Sequence, residues 1–119
     1  MTATPQALHI AQVAAQAAAD KKAENIVALD VSEHLVITDI FLICSASNER
    51  QVNAIVDAIE EELLKEGIKP IRREGHREGR WVLLDYFDIV VHVQQNEERS
   101  LYDLERLWAD CPHLPIEVL

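Results

Sequence analysis

Apolar residues recur at intervals of three and four along the first twenty positions. Leu8, Ala11, Ala15 and Ala18 form one stripe, which Ile10, Val13, Ala14 and Ala17 widen. That spacing predicts an amphipathic helix. Thr4 is placed to cap it, with Pro5 at its first position. Its alanines let it lie flat on a sheet or on a partner. Two continuous apolar runs follow, Asn25 to Val31 (NIVALDV) and Asp39 to Cys44 (DIFLIC), joined by the link SEHLVIT. Runs without polar alternation predict strands covered on both faces. Ser45 to Asn48 turns into a second helix, in which Val52, Ile55, Val56, Ile59 and Leu63 repeat at helical spacing as far as Glu66. Asn48 with Gln51 has the form of a capping box, and Gly67 suits the residue after the helix. Glu60, Glu61 and Glu62 read as a solvated face.

Beyond Pro70 the period shortens. Ile71 to Glu74 predicts a brief strand, and GHREG predicts a turn or exposed loop holding His76. Trp81 to Asp85 and Ile89 to Val93 predict a hairpin closed by YFD. A last helix is expected from Glu97, with Leu101, Leu104, Leu107 and Trp108 as its apolar stripe, and the proline-bearing tail CPHLPIEVL is expected to be irregular. The order is helix, two strands, helix, three strands, helix. It specifies an α/β (α+β) fold of about five strands with packed helices, in one domain covering residues 1–119.

Composition narrows the function. With 119 residues and 49% apolar content, the chain can form a core without disulfide or metal. No apolar run reaches membrane-spanning length, and the N-terminus lacks the pattern of a secretion signal. Cys44 and Cys111 lie far apart, and Cys44 reads as a small buried hydrophobe. These features suit a reducing, cytoplasmic compartment. The net charge of −10 disfavours broad nucleic-acid binding. It is unevenly spread. From Lys69 to Arg80, five bases against two acids leave +3; from Trp81 to Leu119, eight acids against two bases leave −6. An acidic end suits a basic protein partner, and Arg72, Arg73, Arg77 and Arg80 suit at most a minor phosphate contact.

Catalytic chemistry finds few candidates. There is no nucleophile turn and no glycine-rich phosphate loop, the glycines being only Gly67, Gly75 and Gly79. Asp85, Asp88 and His92 come nearest to a metal cluster, but they read better as turn carboxylates and a half-buried histidine bonded to backbone. No catalytic residue, metal or cofactor is assigned. More informative is an aromatic set, Trp81, Tyr86, Tyr102 and Trp108, interleaved with Asp85, Asp88, Asp103 and Glu105. Aromatic anchors rimmed by charge are what protein interfaces favour. The apolar strands and the alanine-rich helix also offer surfaces for a homodimer.

Three segments, DIFLICSASNERQVNAI, PIRREGHREGRWVLLDYFDIVVHV and ERSLYDLERLW, together resemble the ribosomal silencing factor family, also called the Iojap family, from about Asn25 to Asp110. The resemblance implies a nucleotidyltransferase-like fold, a mixed sheet of about five strands with helices packed on it. It implies binding to large-subunit ribosomal protein fourteen, a small basic barrel at the intersubunit face. It further implies a block on association of the two subunits and repression of translation under nutrient limitation. A role in large-subunit assembly is the alternative it allows. The enzyme that the fold suggests would need a Gly-Ser turn and paired aspartates for two metal ions; here the turn reads Ser45, Ala46, Ser47 and no Asp-x-Asp pair occurs. The family usually has glycine at the hairpin turn, where this chain has Phe87. Because Phe resists positive φ, a different turn type is expected. Gln94, Gln95 and Leu101 also depart from the family pattern, so details of the partner contact are expected to differ.

Overall fold

The computed structural model describes residues 2–75 and 77–119, so the expectation for His76 lies outside the described residues. Helix α1 (Pro5–Asp20) begins where expected: Thr4 Oγ1 accepts the Ala7 N–H at 3.1 Å. Strand β1 (Glu24–Asp30) runs antiparallel to β2 (Ile40–Ala46). Helix α2 (Glu49–Leu64) is capped by Asn48, whose Oδ1 accepts the Gln51 N–H at 2.8 Å. The expected capping box is only half formed, because Gln51 Oε1 faces the Ser47 N–H at 3.4 Å and not that of Asn48. Gly67, at φ +75, ends the helix as expected.

The short β3 (Arg72–Glu74) pairs antiparallel with β4 (Trp81–Asp85), and β4 pairs antiparallel with β5 (Ile89–Gln95). The β2–β5 pair at the centre is parallel, with Leu42 opposite Val91 and Ile43 opposite His92. The turn Tyr86–Asp88 is built differently from expectation. Phe87 takes the left-handed conformation itself, at φ 75, and Asp85 Oδ1 accepts its N–H at 2.9 Å. That hydrogen bond holds the turn where a glycine would need no help.

The expected last helix is two. Helix α3 (Asn96–Tyr102) stops at Asp103, which is left-handed at φ 44, and α4 (Leu104–Leu107) begins after it. The break divides the expected stripe: Leu104 is buried, whereas Leu101 and Leu107 are exposed. The tail is also more ordered than expected. His113–Leu114 forms β6 against β1, giving a six-stranded sheet in the order β3-β4-β5-β2-β1-β6. Beyond it, Gln12 and Gln16 of α1 each clamp the tail backbone. Gln16 Oε1 accepts the Leu119 N–H at 2.9 Å, and Gln12 Oε1 accepts that of Glu117 at 3.2 Å.

The two sheet faces differ. Alternate residues of the central strands (Leu42, Cys44, Val82, Leu84, Val91, Val93) point into a core closed by α1 and α2. The alanine stripe of α1 is consumed here, since Ala7, Ala11, Ala14, Ala15 and Ala18 are all buried within the chain. That stripe of the helix is therefore internal to the fold. The opposite face carries a smaller cluster: Leu29, Val31, Ile43, Leu104 and Cys111, with Phe41, Trp81 and Trp108 half-buried against it. Two short helices and the Ser32–Thr38 link cover it only in part.

Candidate docking face

Strand alternation decides which predicted anchors can share a surface. Trp81, Leu83 and Asp85 leave β4 on the thinly covered face; Val82 and Leu84 leave it on the other. Tyr86 follows the second set. Its ring lies in the helix-side core at 5% exposure, and burial pushes its phenol pKa well above the usual value. It is no part of the docking face, which corrects its place among the anchors.

Trp81, Tyr102 and Trp108 do reach that face. Trp81 and Tyr102 lie ring to ring at 4.8 Å, and Tyr102 is exposed. Trp108 packs edge-on against Phe41 at 5.3 Å. Beneath them, Trp81 Nε1 donates to His92 Nδ1 at 3.1 Å. His92 is thus bonded to an indole and not to backbone, and at 5% exposure it is buried where it was expected half-buried. Burial pulls its pKa down from 6.5 to about 4, so the imidazole is neutral at neutral pH. Since the indole only donates, the imidazole proton sits on Nε2. Val91 and Val93 face the other way, as the alternation predicts.

The carboxylates are more engaged than the sequence suggested. Asp85 lies 3.6 Å from the Arg72 guanidinium and also supports the Phe87 turn. Glu105 Oε1 accepts from Arg99 Nε at 2.9 Å. Asp88 is half-buried at the turn, and Asp103 is exposed at the joint between α3 and α4. In the basic stretch, Arg73 pairs with Glu60 at 3.2 Å and Arg80 with Glu98 at 3.6 Å, while Arg77 is exposed. Among the described residues no group of three His, Cys, Asp or Glu side chains is placed to hold a metal ion. Asp85, Asp88 and His92 therefore form no metal cluster. Both cysteines are free; burial pushes the Cys44 thiol up to about 12.

One part of the face went unread. The link Ser32–Thr38 holds Leu35, Val36 and Ile37 above a groove of about 500 Å3, whose floor includes Phe41, Leu83, Val90 and His92. The available signal was three consecutive apolar residues in a segment assigned to no strand or helix.

Comparison with known proteins gives this face its context. A family model described as "Ribosomal silencing factor during starvation" matches residues 4–119. The chain is 46% identical over 103 residues to the ribosomal silencing factor of Bacillus subtilis, covering 87% of each. It is 44% identical over 106 residues to that of Halalkalibacterium halodurans, covering 89% of this chain and 91% of the relative. It is also 31% identical over 113 residues to the chloroplastic Iojap protein of Zea mays, covering 95% of this chain and 48% of that one. Among solved structures, a Bacillus halodurans protein superposes with a TM-score of 0.81 at 40% identity, over 92% of this chain and 99% of that one. A Chromobacterium violaceum protein superposes at 0.83 and 33%, over 86% and 85%. With the motif segments, the fold and the full-length match in agreement, the chain belongs to the ribosomal silencing factor family.

Proposed function

We propose that this chain represses translation by occupancy. It docks on the large ribosomal subunit through ribosomal protein fourteen, at the face where the small subunit joins, and blocks association of the two when nutrients are limiting. The observation that carries this reading is the family match across residues 4–119. Charge supports it, since a surface of net charge −10 suits a small basic protein. The exposed Tyr102 ring against Trp81 supports it as well, because paired aromatics at a charged rim are typical interface anchors. Trp81, Tyr102 and Trp108 serve as anchors, with Asp103 and Glu105 beside Tyr102 in sequence and Asp85 and Asp88 at the other end of β4. Arg77, with Arg72, Arg73 and Arg80 beside it, is available for minor contact with ribosomal RNA.

The action needs no turnover. An interface of about 800 Å2 per partner, placed where the small subunit docks, is sufficient. Among the described residues no helix is long and apolar enough to cross a membrane, and the reading places the protein with cytoplasmic ribosomes. Purified subunits mixed with the protein and run on a sucrose gradient test it: full ribosomes decrease in proportion to added protein. Undiminished joining at saturating protein overturns the proposal.

A further inference from the structure

One end of the sheet displays large apolar side chains to solvent. Val36 is 100% exposed and Phe87 56%, and Ile37 and Ile71 are exposed beside them in sequence or across the ladder. They come from three separate segments held together by backbone hydrogen bonds. The Asp39 N–H donates to Asp88 O at 3.0 Å, tying the Ser32–Thr38 link to the Phe87 turn, and the Ile71 N–H donates to Asp85 O at 2.7 Å. This end is opposite the Trp81–Tyr102 pair, because Trp81 sits beside Gln94 where β5 ends and Asp85 beside Val90 where it begins.

Three features mark the patch as a surface completed by something else. The first is the apolar groove between Val36 and the Leu83–Val90 ladder. The second is in its wall: His92 Nε2 and Thr38 Oγ1 are buried and make no hydrogen bond within the chain. Buried donors without acceptors are rare in finished structures and weaken them. The third is Phe87, which holds φ 75 while leaving its ring more than half exposed. Glycine takes that conformation without strain. A bulky apolar residue kept there gains little inside the fold, so its use lies outside it.

We propose that this end is a docking patch for a protein that presents an apolar side chain within a basic surface. The apolar side chain fills the groove beside Val36, Ile37 and Phe87, and an oxygen of the partner accepts from the His92 imidazole as the link yields. The basic surroundings follow from charge: in the groove Arg72 is matched by Asp85 at 3.6 Å, Asp88 adjoins Phe87 in the turn, and the chain as a whole carries a net charge of −10. The choice of the large subunit as probe rests on the silencing reading above.

The test uses the full chain and purified large ribosomal subunits. Phe87→Gly and the double variant Val36→Ser/Ile37→Ser change exposed positions, so both stay folded, and Phe87→Gly melts at a higher temperature than wild type. Each binds the subunit at least about tenfold more weakly. A more stable protein that binds less well separates display from structure. If wild type binds and both variants match it within about twofold, the patch assignment is overturned and the silencing reading stands. If wild type itself does not bind, both fall. Light scattering guards the choice of occupant. A wild-type mass that halves in the double variant shows a second copy of the chain on this patch, and that also overturns the proposal.

Discussion

His92 and Phe87 show how single residues depart from what their neighbours need. Folding holds His92 neutral, with its pKa pulled from 6.5 to about 4 by burial. Between those values the unfolded chain binds the proton and the folded chain does not, so stability rises with pH. The contribution is complete above pH 6.5 and is lost as pH falls toward 4. A shift of that size corresponds to about 3 kcal/mol. Urea unfolding at pH 7 and pH 4.5 is expected to show most of that loss, and His92→Gln to flatten it. Phe87 stores strain of the opposite kind. A left-handed non-glycine residue costs about 1–2 kcal/mol, and glycine's extra unfolded-state freedom returns about half. Phe87→Gly is therefore expected to stabilise the fold by roughly 0.5–1 kcal/mol in chemical denaturation. For docking, Trp81→Ala is expected to weaken large-subunit binding roughly 30-fold, and Asp88→Ala by about 1 kcal/mol or less at about 0.15 M salt. Circular dichroism of Trp81→Ala checks that the fold survives loss of the His92 contact.

At the scale of elements, the α3–α4 segment depends on one arginine. Arg99 donates to Glu105 at 2.9 Å, to Ser45 Oγ at 3.2 Å and to Glu24 O at 3.2 Å. It joins α3, α4 and the ends of β1 and β2 at one point. Helices of seven and four residues have little stability of their own. Arg99→Ala is expected to cost about 2 kcal/mol and to raise amide exchange across residues 96–107 before the rest of the sheet. Wild-type protection there in the variant would show that Leu104 and Trp108 suffice. The loop between β3 and β4 has a steric requirement: a Cβ on Gly75 would collide with the Trp81 carbonyl oxygen, and its φ is +79.

For the whole molecule, the two sheet faces differ in how far they are covered, and the proposed docking uses the thinner one. One face is closed by α1 and α2, and the other is left thin, with the Trp81–Tyr102 pair at one end and an apolar patch at the other. Docking through acids around apolar anchors is expected to weaken only modestly as salt rises from 0.05 to 0.3 M, by about tenfold or less, because the anchors are not screened. A loss of several hundredfold over that range would instead indicate phosphate contacts through the arginines between Arg72 and Arg80. Sedimentation with large subunits across a salt series distinguishes the two.

The sequence by itself determined the elements and their order. The 3.6-residue period fixed α1 and α2, the apolar runs fixed β1, β2 and β5, and Thr4, Asn48 and Gly67 fixed helix ends, because these signals are local. The motif segments likewise determined the family. Strand alternation also separates Tyr86 from Trp81, a distinction that grouping aromatics by sequence proximity missed. Tertiary structure alone decided the rest. The break at Asp103 is a left-handed residue inside an apolar stripe, which no period shows. The sixth strand arises because β1 leaves an edge that His113–Leu114 can pair. The use of Val36 and Ile37 was invisible because an apolar link reads the same whether it is buried or displayed. Only the packing of three distant segments reveals that these side chains stand beside Phe87, over a buried histidine with no acceptor of its own.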